Sequence, residues 1–197
     1  MQHLTSYCSL LVVFNEQEII SRILCGDLKA FELLVKQYER LVFHVVGRLI
    51  KERADAEDVC QEVFIKIHRN LAGYNYKSRL STWIARIAYL SAIDYLKKYK
   101  KLSQTELNED FDQYHFTYTN PEQLMEKKDT SAYINQLILQ MPEQYRIVLT
   151  LFHLDEFSYQ EIEVITGMAE GTIKSYLFRG RKLLKEKLEA YLKNEIV

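Results

Sequence analysis

Residues 158–182 read SYQEIEVITGMAEGTIKSYLFRGRK, and their spacing predicts two short helices joined by a glycine turn. Ser158 and Glu161 have the S-x-x-E form of a capping box, in which each side chain satisfies a free amide at a helix start. Thr166-Gly167-Met168 supplies the turn, and a second helix runs from about Gly171 to the end of the chain. Along that helix Ile173, Leu177, Gly180 and Leu184 recur at steps of three and four and face a core. Lys174, Ser175, Phe178, Arg179 and Lys182 then fall on the opposite face. A basic amphipathic second helix of this kind describes a helix-turn-helix, whose second helix enters the DNA major groove. Lys, Arg and Ser side chains bond base edges or phosphates, and an aromatic ring touches a thymine methyl. A groove-facing role follows for Lys174, Ser175, Phe178 and Arg179, and a phosphate role for Thr172, Tyr176, Arg181 and Lys182. The competing reading is a solvated basic face with Phe178 packed in the core.

Upstream the same helical period continues. Ile134, Leu137, Ile138 and Met141 open this second block, which breaks at Pro142. The first block carries Ile19, Ile20, Ile23 and Leu24, then Phe31 to Tyr38, then Leu41 to Leu49, Ala56 to Leu71 and Ser81 to Tyr99, with Asp55, Gly73 and Ser81 at the breaks as caps or turns. No alternating run of β-branched residues competes, so an all-α chain is expected: two small helical domains, residues 16–101 and 131–197. Between them residues 102–130 are rich in Gln, Asn, Asp, Glu and Thr without a sustained period, as an extended acidic linker is. Residues 1–15 form an N-terminal extension, either disordered or docked on the first helix.

The 197 residues carry 26 basic and 27 acidic side chains, a net charge of −1. Residues 16–101 hold 16 basic and 11 acidic groups, 102–130 hold 2 and 7, and 131–197 hold 8 and 9. The near-neutral total is therefore a cancellation between a basic first domain and an acidic linker. Six glycines and two prolines exclude collagen-like and low-complexity chains. No apolar run reaches the roughly 20 residues of a membrane span. Cys8-Ser9-Leu10-Leu11-Val12-Val13-Phe14 has no basic residue before it and no small-residue cleavage site after it, unlike a signal peptide. Cys8, Cys25 and Cys60 lack ligand spacing and fit a reducing cytoplasm, with Cys25 and Cys60 read as core residues. No phosphate loop, metal-ligand pair or nucleophile triad is visible. No catalytic residue, metal or cofactor is expected, and the chain is not read as an enzyme.

Tyr74-Asn75-Tyr76-Lys77-Ser78-Arg79-Leu80-Ser81-Thr82-Trp83 interleaves aromatic, hydroxyl and basic groups before a helix bearing Arg86, Tyr89, Lys97 and Lys98. Aromatics stack on unpaired bases at about 1–3 kcal/mol each, and cations hold the backbone. An extruded base also needs a pocket that bonds its edge, which a short polar loop such as Asn75 to Ser78 provides. The alternative makes Trp83 a core residue and the lysines a soluble helix end. Asp58, Gln61 and Glu62 form an acidic patch at helical spacing, with Val59, Val63 and Ile67 as the apolar stripe behind it. Such a patch in a basic domain suits a protein partner, although Asp55, Glu57 and Asp58 also suit a helix N-terminus.

Taken together these segments resemble bacterial RNA polymerase sigma factors of the extracytoplasmic-function type, over about residues 16–101 and 131–190. AEDVCQEVFIKIHRNL (56–71) is similar to the helix that binds the clamp coiled coil of the polymerase β′ subunit. SRLSTWIARIAYLSAIDYLKK (78–98) resembles the promoter-melting and minus-ten segment, and residues 158–188 resemble the minus-thirty-five helix-turn-helix. The resemblance implies that Asp58, Gln61, Glu62 and Phe64 contact core polymerase. It also implies that Asn75, Tyr76, Lys77 and Ser78 capture a flipped minus-ten base, with Ser81, Thr82, Trp83 and Arg86 as the adjoining strand-separating surface; the residue reading adds Arg79, Tyr89, Lys97 and Lys98 to the same minus-ten surface. Lys174, Ser175, Phe178 and Arg179 would read the upstream element. The implied partners are core polymerase (β′ clamp coiled coil and β flap), promoter DNA and an anti-sigma factor, in the cytoplasm and without membrane insertion. The alternative function is a helix-turn-helix regulator acting without polymerase. Three departures stand out: Leu80 where Phe is usual, Leu90 where Asn is common, and Gly180 in place of Ala. His68, where an aromatic is common, is read as a packing residue.

Overall fold

A computed structural model describes residues 15–103 and 130–194; the N-terminal extension and the acidic linker therefore lie almost wholly outside the described residues. Eight α-helices account for nearly all of them, and no strand is present among them. In the first domain these are α1 (Glu16–Leu24), α2 (Leu28–Leu49), α3 (Arg53–Asn70) and α4 (Leu80–Ser103), with a 3-10 turn at Leu71–Gly73. The second contains α5 (Thr130–Leu139), α6 (Glu143–His153), α7 (Tyr159–Thr166) and α8 (Glu170–Asn194).

The boundaries follow from local chemistry. Asn15 caps α1, accepting from the Glu18 amide at 3.3 Å. Asp27 caps α2 by accepting from the amides of Lys29 and Ala30 at 2.9 and 3.1 Å, and pairs with Arg22 at 2.8 Å. Gly26, at φ +88°, makes the turn between them in a backbone region that costs other residues dearly. Two expected caps are corrected. Asp55 lies in the first turn of α3, one turn inside the N-cap Glu52, where its charge favours the exposed amides. Ser81 is inside α4, which begins at Leu80. Cys25 is corrected as well: it is exposed, because it follows the last turn of α1 at the Gly26 bend. Cys60 is buried, and burial pushes its thiol up to about 11.

Leu34, Val42 and Val45 from α2, Val59, Val63 and Ile67 from α3, and Leu80, Ile84 and Ala88 from α4 form the first core. Leu80 is fully buried in it, so the residue that replaces the family's usual Phe is a packing residue. His68 is exposed but sets its ring edge-on against Phe31, with centroids 4.8 Å apart. Ile147, Val148, Leu151, Phe157, Ile162, Ile165, Ile173 and Leu177 are buried in the second domain and continue the same apolar cluster. A Cβ on Gly180 would sit 3.0 Å from Leu149 Cδ1. The glycine thus admits Leu149 against α8, at about 1 kcal/mol of helix propensity relative to Ala.

The helix-turn-helix forms as its sequence predicts. Ser158 Oγ accepts from the Glu161 amide at 3.3 Å, while Glu161 Oε2 accepts from the Ser158 amide at 2.9 Å. Gly167 ends α7 at φ +76°. Ser158→Ala is expected to cost about 1 kcal/mol and to lower the melting temperature of the second domain by about 4–8 °C, read by circular dichroism.

Candidate nucleic-acid interface

The loop before α4 is built rather than slack. Tyr74 donates its hydroxyl to the Ser78 carbonyl at 2.7 Å, and Asn75 Oδ1 accepts from the Lys77 amide at 3.2 Å. Those two bonds close the loop around Tyr76, which holds φ +59°, a left-handed conformation uncommon for a bulky residue. Tyr76 is 53% exposed, and Asn75 and Lys77 are also exposed. The Tyr74 ring lies 4.7 Å from that of Tyr76 and 5.4 Å from that of Trp83. The loop thus holds an aromatic cluster with a polar, exposed rim. Trp83 is half-buried, so part of its ring packs on the core and part faces solvent.

Arg79, Thr82, Arg86 and Tyr89 recur at three and four and form one stripe along α4. This stripe faces α7. Thr82, 0% exposed, donates its hydroxyl to Glu161 Oε1 at 3.0 Å. Arg79 approaches the same carboxylate at 3.7 Å, and Arg86 donates to the Val164 carbonyl. Tyr89 is buried as well, and burial, reinforced by the charge of Glu143 at the start of α6, raises its hydroxyl. Burial acts to raise the Glu161 carboxyl, but the Ser158 amide and hydroxyl, the Thr82 hydroxyl and Arg79 together hold it below the usual glutamate value. Its stabilising contribution is accordingly complete above the ordinary glutamate range and is lost as pH falls through the lowered value. Ser81 is half-buried, and Lys97 and Lys98 are exposed further along α4.

On α8, Ile173, Leu177 and Gly180 are buried, whereas Thr172, Lys174, Arg179, Arg181 and Lys182 are exposed, and Ser175 and Tyr176 are intermediate. Phe178 is 70% exposed, which removes the reading of it as a core residue. Lys174 pairs with Glu170 at 2.6 Å and lies 5.3 Å from the centre of the Tyr159 ring. Arg181 turns toward α6, donating to His153 Nε2 at 3.0 Å with its guanidinium 5.3 Å from the Phe152 ring. Burial, and then the Arg181 charge, hold His153 below its usual range, in keeping with a ring nitrogen that accepts. On α3, Asp58, Gln61 and Glu62 are exposed on one face, Phe64 is half-buried, and Val59, Val63 and Ile67 are buried behind them.

Residues that sequence reasoning passed over lie between the domains. His44 Nδ1 is 3.1 Å from Asp155 Oδ1, and Arg48 donates to Asn135 Oδ1 at 2.8 Å. Asp155 is only 8% exposed in its side chain, and its Oδ2 is buried without a hydrogen-bond partner among the described residues. One signal was present: Arg48 interrupts the apolar face of Val45, Val46 and Leu49, and a cation among core positions asks for a partner.

The chain matches the family model for Sigma-70 region 2 over residues 34–102 and that for Sigma-70 region 4 over residues 131–184. It is 30% identical to the RNA polymerase sigma-H factor of Pseudomonas aeruginosa over 186 residues, covering 91% of this chain and 96% of that protein. The ECF RNA polymerase sigma-E factor of Escherichia coli K12 is 32% identical, with 91% and 97% covered. The sigma factor RpoE of Bartonella quintana, solved with the anti-sigma factor NepR, superposes with a TM-score of 0.64 at 21% identity, covering 82% of this chain and 98% of that one. CnrH, solved with the cytosolic domain of CnrY, gives 0.62 at 16% identity, with 88% and 97% covered. No helix among the described residues is long and apolar enough to cross a membrane. These relatives favour transcription initiation over a regulator acting without polymerase. The chain belongs to the extracytoplasmic-function sigma factors, which serve transcription initiation.

Proposed function

We propose that this chain is a dissociable cytoplasmic initiation factor without catalytic chemistry, whose first domain (16–101) binds core polymerase and the minus-ten strand and whose second (131–197) reads the minus-thirty-five duplex. The loop bonded around left-handed Tyr76 carries the reading, since a conformation of that kind persists only when its surroundings fix it, and it clusters at functional sites. Asn75 to Ser78 take the extruded base, and Arg79, Ser81, Thr82, Trp83, Arg86 and Tyr89, with Lys97 and Lys98 on the phosphates, hold the separated strand. Lys174, Ser175, Phe178 and Arg179 enter the major groove. Thr172, Tyr176, Arg181 and Lys182 hold phosphates, which Arg181 reaches by leaving His153. Asp58, Gln61, Glu62 and Phe64 meet the β′ clamp coiled coil, and the second domain meets the β flap. The relatives RpoE and CnrH, solved with NepR and CnrY, support an anti-sigma partner.

Reconstitution with bacterial core polymerase on a supercoiled promoter library tests this directly. Transcripts that depend on the chain are expected, and none with or without it would overturn the proposal. Arg179→Ala should weaken upstream-element binding by about 1–3 kcal/mol and relax preference at one base pair, measured by competition between duplexes.

A further inference from the structure

The cations of α8 differ in the kind of partner they hold. Lys174 pairs with Glu170 at 2.6 Å and Lys182 with Glu186 at 3.9 Å, both carboxylates. Arg181 instead donates from Nε to His153 Nε2 at 3.0 Å, and histidine is the side chain that gains a proton near neutral pH. The Arg181 guanidinium also lies 5.3 Å from the centre of the Phe152 ring, which stacks on Tyr159 at 5.1 Å. A lone pair and a ring therefore hold an exposed arginine against α6, away from a phosphate that would bind it more strongly. We propose that His153 is a proton-dependent positioning residue for Arg181: the neutral ring keeps the guanidinium on α6, and the protonated ring releases it to the phosphates of the upstream duplex. This rests on the assignment of Arg181 to a phosphate.

The bond depends on the lone pair of Nε2. A proton there turns the nitrogen into a donor, so the bond is lost and two cations face each other. Burial, and then the Arg181 charge, disfavour that proton. The ring closes α6, and the free carbonyls of a helix C-terminus favour a cation. Moving Arg181 to a phosphate removes one opposing influence, so the ring takes up a proton as the duplex binds. By linkage, the duplex raises the proton affinity of the ring by the same factor as the proton raises affinity for the duplex. Binding thus tightens as pH falls through the value of the bound ring, and levels off below the lowered value of the free one. Other titratable groups on the elements packed against α6 face different partners. On α2, His44 meets Asp155 and Arg48 meets Asn135. Tyr159 of α7 faces Phe152, and on α8 Lys185 pairs with Glu189 at 3.6 Å, as Lys182 does with Glu186.

The test titrates the full chain into a fluorescein-labelled duplex of mixed sequence, followed by anisotropy, because phosphate contacts carry no sequence information. Between about pH 8 and pH 5.5 the affinity of the unsubstituted chain should rise about three- to tenfold more than that of His153→Gln, whose amide oxygen still accepts from Arg181 but takes no proton. Over the same range the slope of log affinity against log salt should steepen by about 0.9 in the unsubstituted chain, as one more phosphate contact requires. His153→Ala frees Arg181 at every pH and should show the steeper slope throughout. Histidines elsewhere in the chain are common to all three proteins and cancel in the comparison. The His153 ring, followed by nuclear magnetic resonance, should titrate at a higher pH with the duplex than without it. Equal pH dependence and equal slopes in the unsubstituted chain and His153→Gln would overturn the proposal and leave duplex binding by α8 in place. No duplex binding at either pH would reject the assignment of α8 to DNA, and the proposal with it. Circular dichroism at each pH shows which variants are folded. Should both unfold, the ring titration decides, and a ring whose proton affinity the duplex does not raise would overturn the proposal.

Discussion

Leu177→Ala is expected to cost about 2–5 kcal/mol and to melt the helix-turn-helix, whereas Phe178→Ala, one residue along, shifts the melting temperature by about 4 °C or less and weakens promoter preference. Leu177 is 1% exposed and Phe178 is 70% exposed, although both are large apolar side chains on the same turn of α8. Losing buried atoms in a packed core carries a transfer cost and a cavity cost together. A domain of about 60 residues has roughly 3–9 kcal/mol to lose, so one such change is a large fraction of the whole. Truncating an exposed ring changes stability by about 0.5 kcal/mol or less. An exposed Phe on a basic face acts instead through its partner, and a contact to a base edge is worth about 1–3 kcal/mol of discrimination. Thermal melting of each variant, with competition between upstream duplexes, separates the two effects. Equal melting losses would return Phe178 to the core and reject its groove role.

That contrast shows what the sequence makes legible. Period three and four places Ile173, Leu177 and Gly180 inside and Phe178 and Arg179 outside, and Ser158 and Glu161 mark the start of α7 through local hydrogen bonds that need no distant partner. Asp55 and Ser81 mislead for the same local reason. Both residue types favour caps, but Glu52 and Arg79 take the boundary positions: the buried face of α4 begins at once with Leu80, whereas α3 runs about one turn before its first buried residue, Ala56. Cys25 has the apolar surroundings of a core residue in sequence, and the Gly26 bend carries it into solvent. The contacts between the domains are the least legible. Thr82 and Glu161 are 79 positions apart, and His44 and Asp155 are 111 apart, so neither periodicity nor spacing links them. Each residue also has a reason to be where it is within its own domain, which hides the second role.

Reversing charge on α3, with Asp58→Lys and Glu62→Lys together, should weaken binding to core polymerase by about a hundredfold or more and leave fold and DNA contacts intact. Asp58 and Glu62 are four residues apart and exposed on the same face, with Val59, Val63 and Ile67 buried on the other, so the substitutions touch no core atom. Among the described residues the ion pair lost is that of Glu62 with Lys66, at 2.8 Å and largely solvated. Exposed pairs of this kind contribute about 0.3–0.5 kcal/mol, too little to shift the melting temperature by more than a few degrees. At an interface the balance differs, because a reversed charge replaces an attraction by a repulsion in a partly desolvated contact. Truncating a buried hot-spot residue costs about 2 kcal/mol or more, and like-charge juxtaposition adds several more. Titration of labelled chain with core polymerase gives the affinity. A single-strand assay shows whether the loop around Tyr76 still binds, and raising the factor concentration should restore transcription. Unchanged affinity for core polymerase would mean that the acidic face of α3 is a solvated helix surface, and that the polymerase meets the first domain elsewhere.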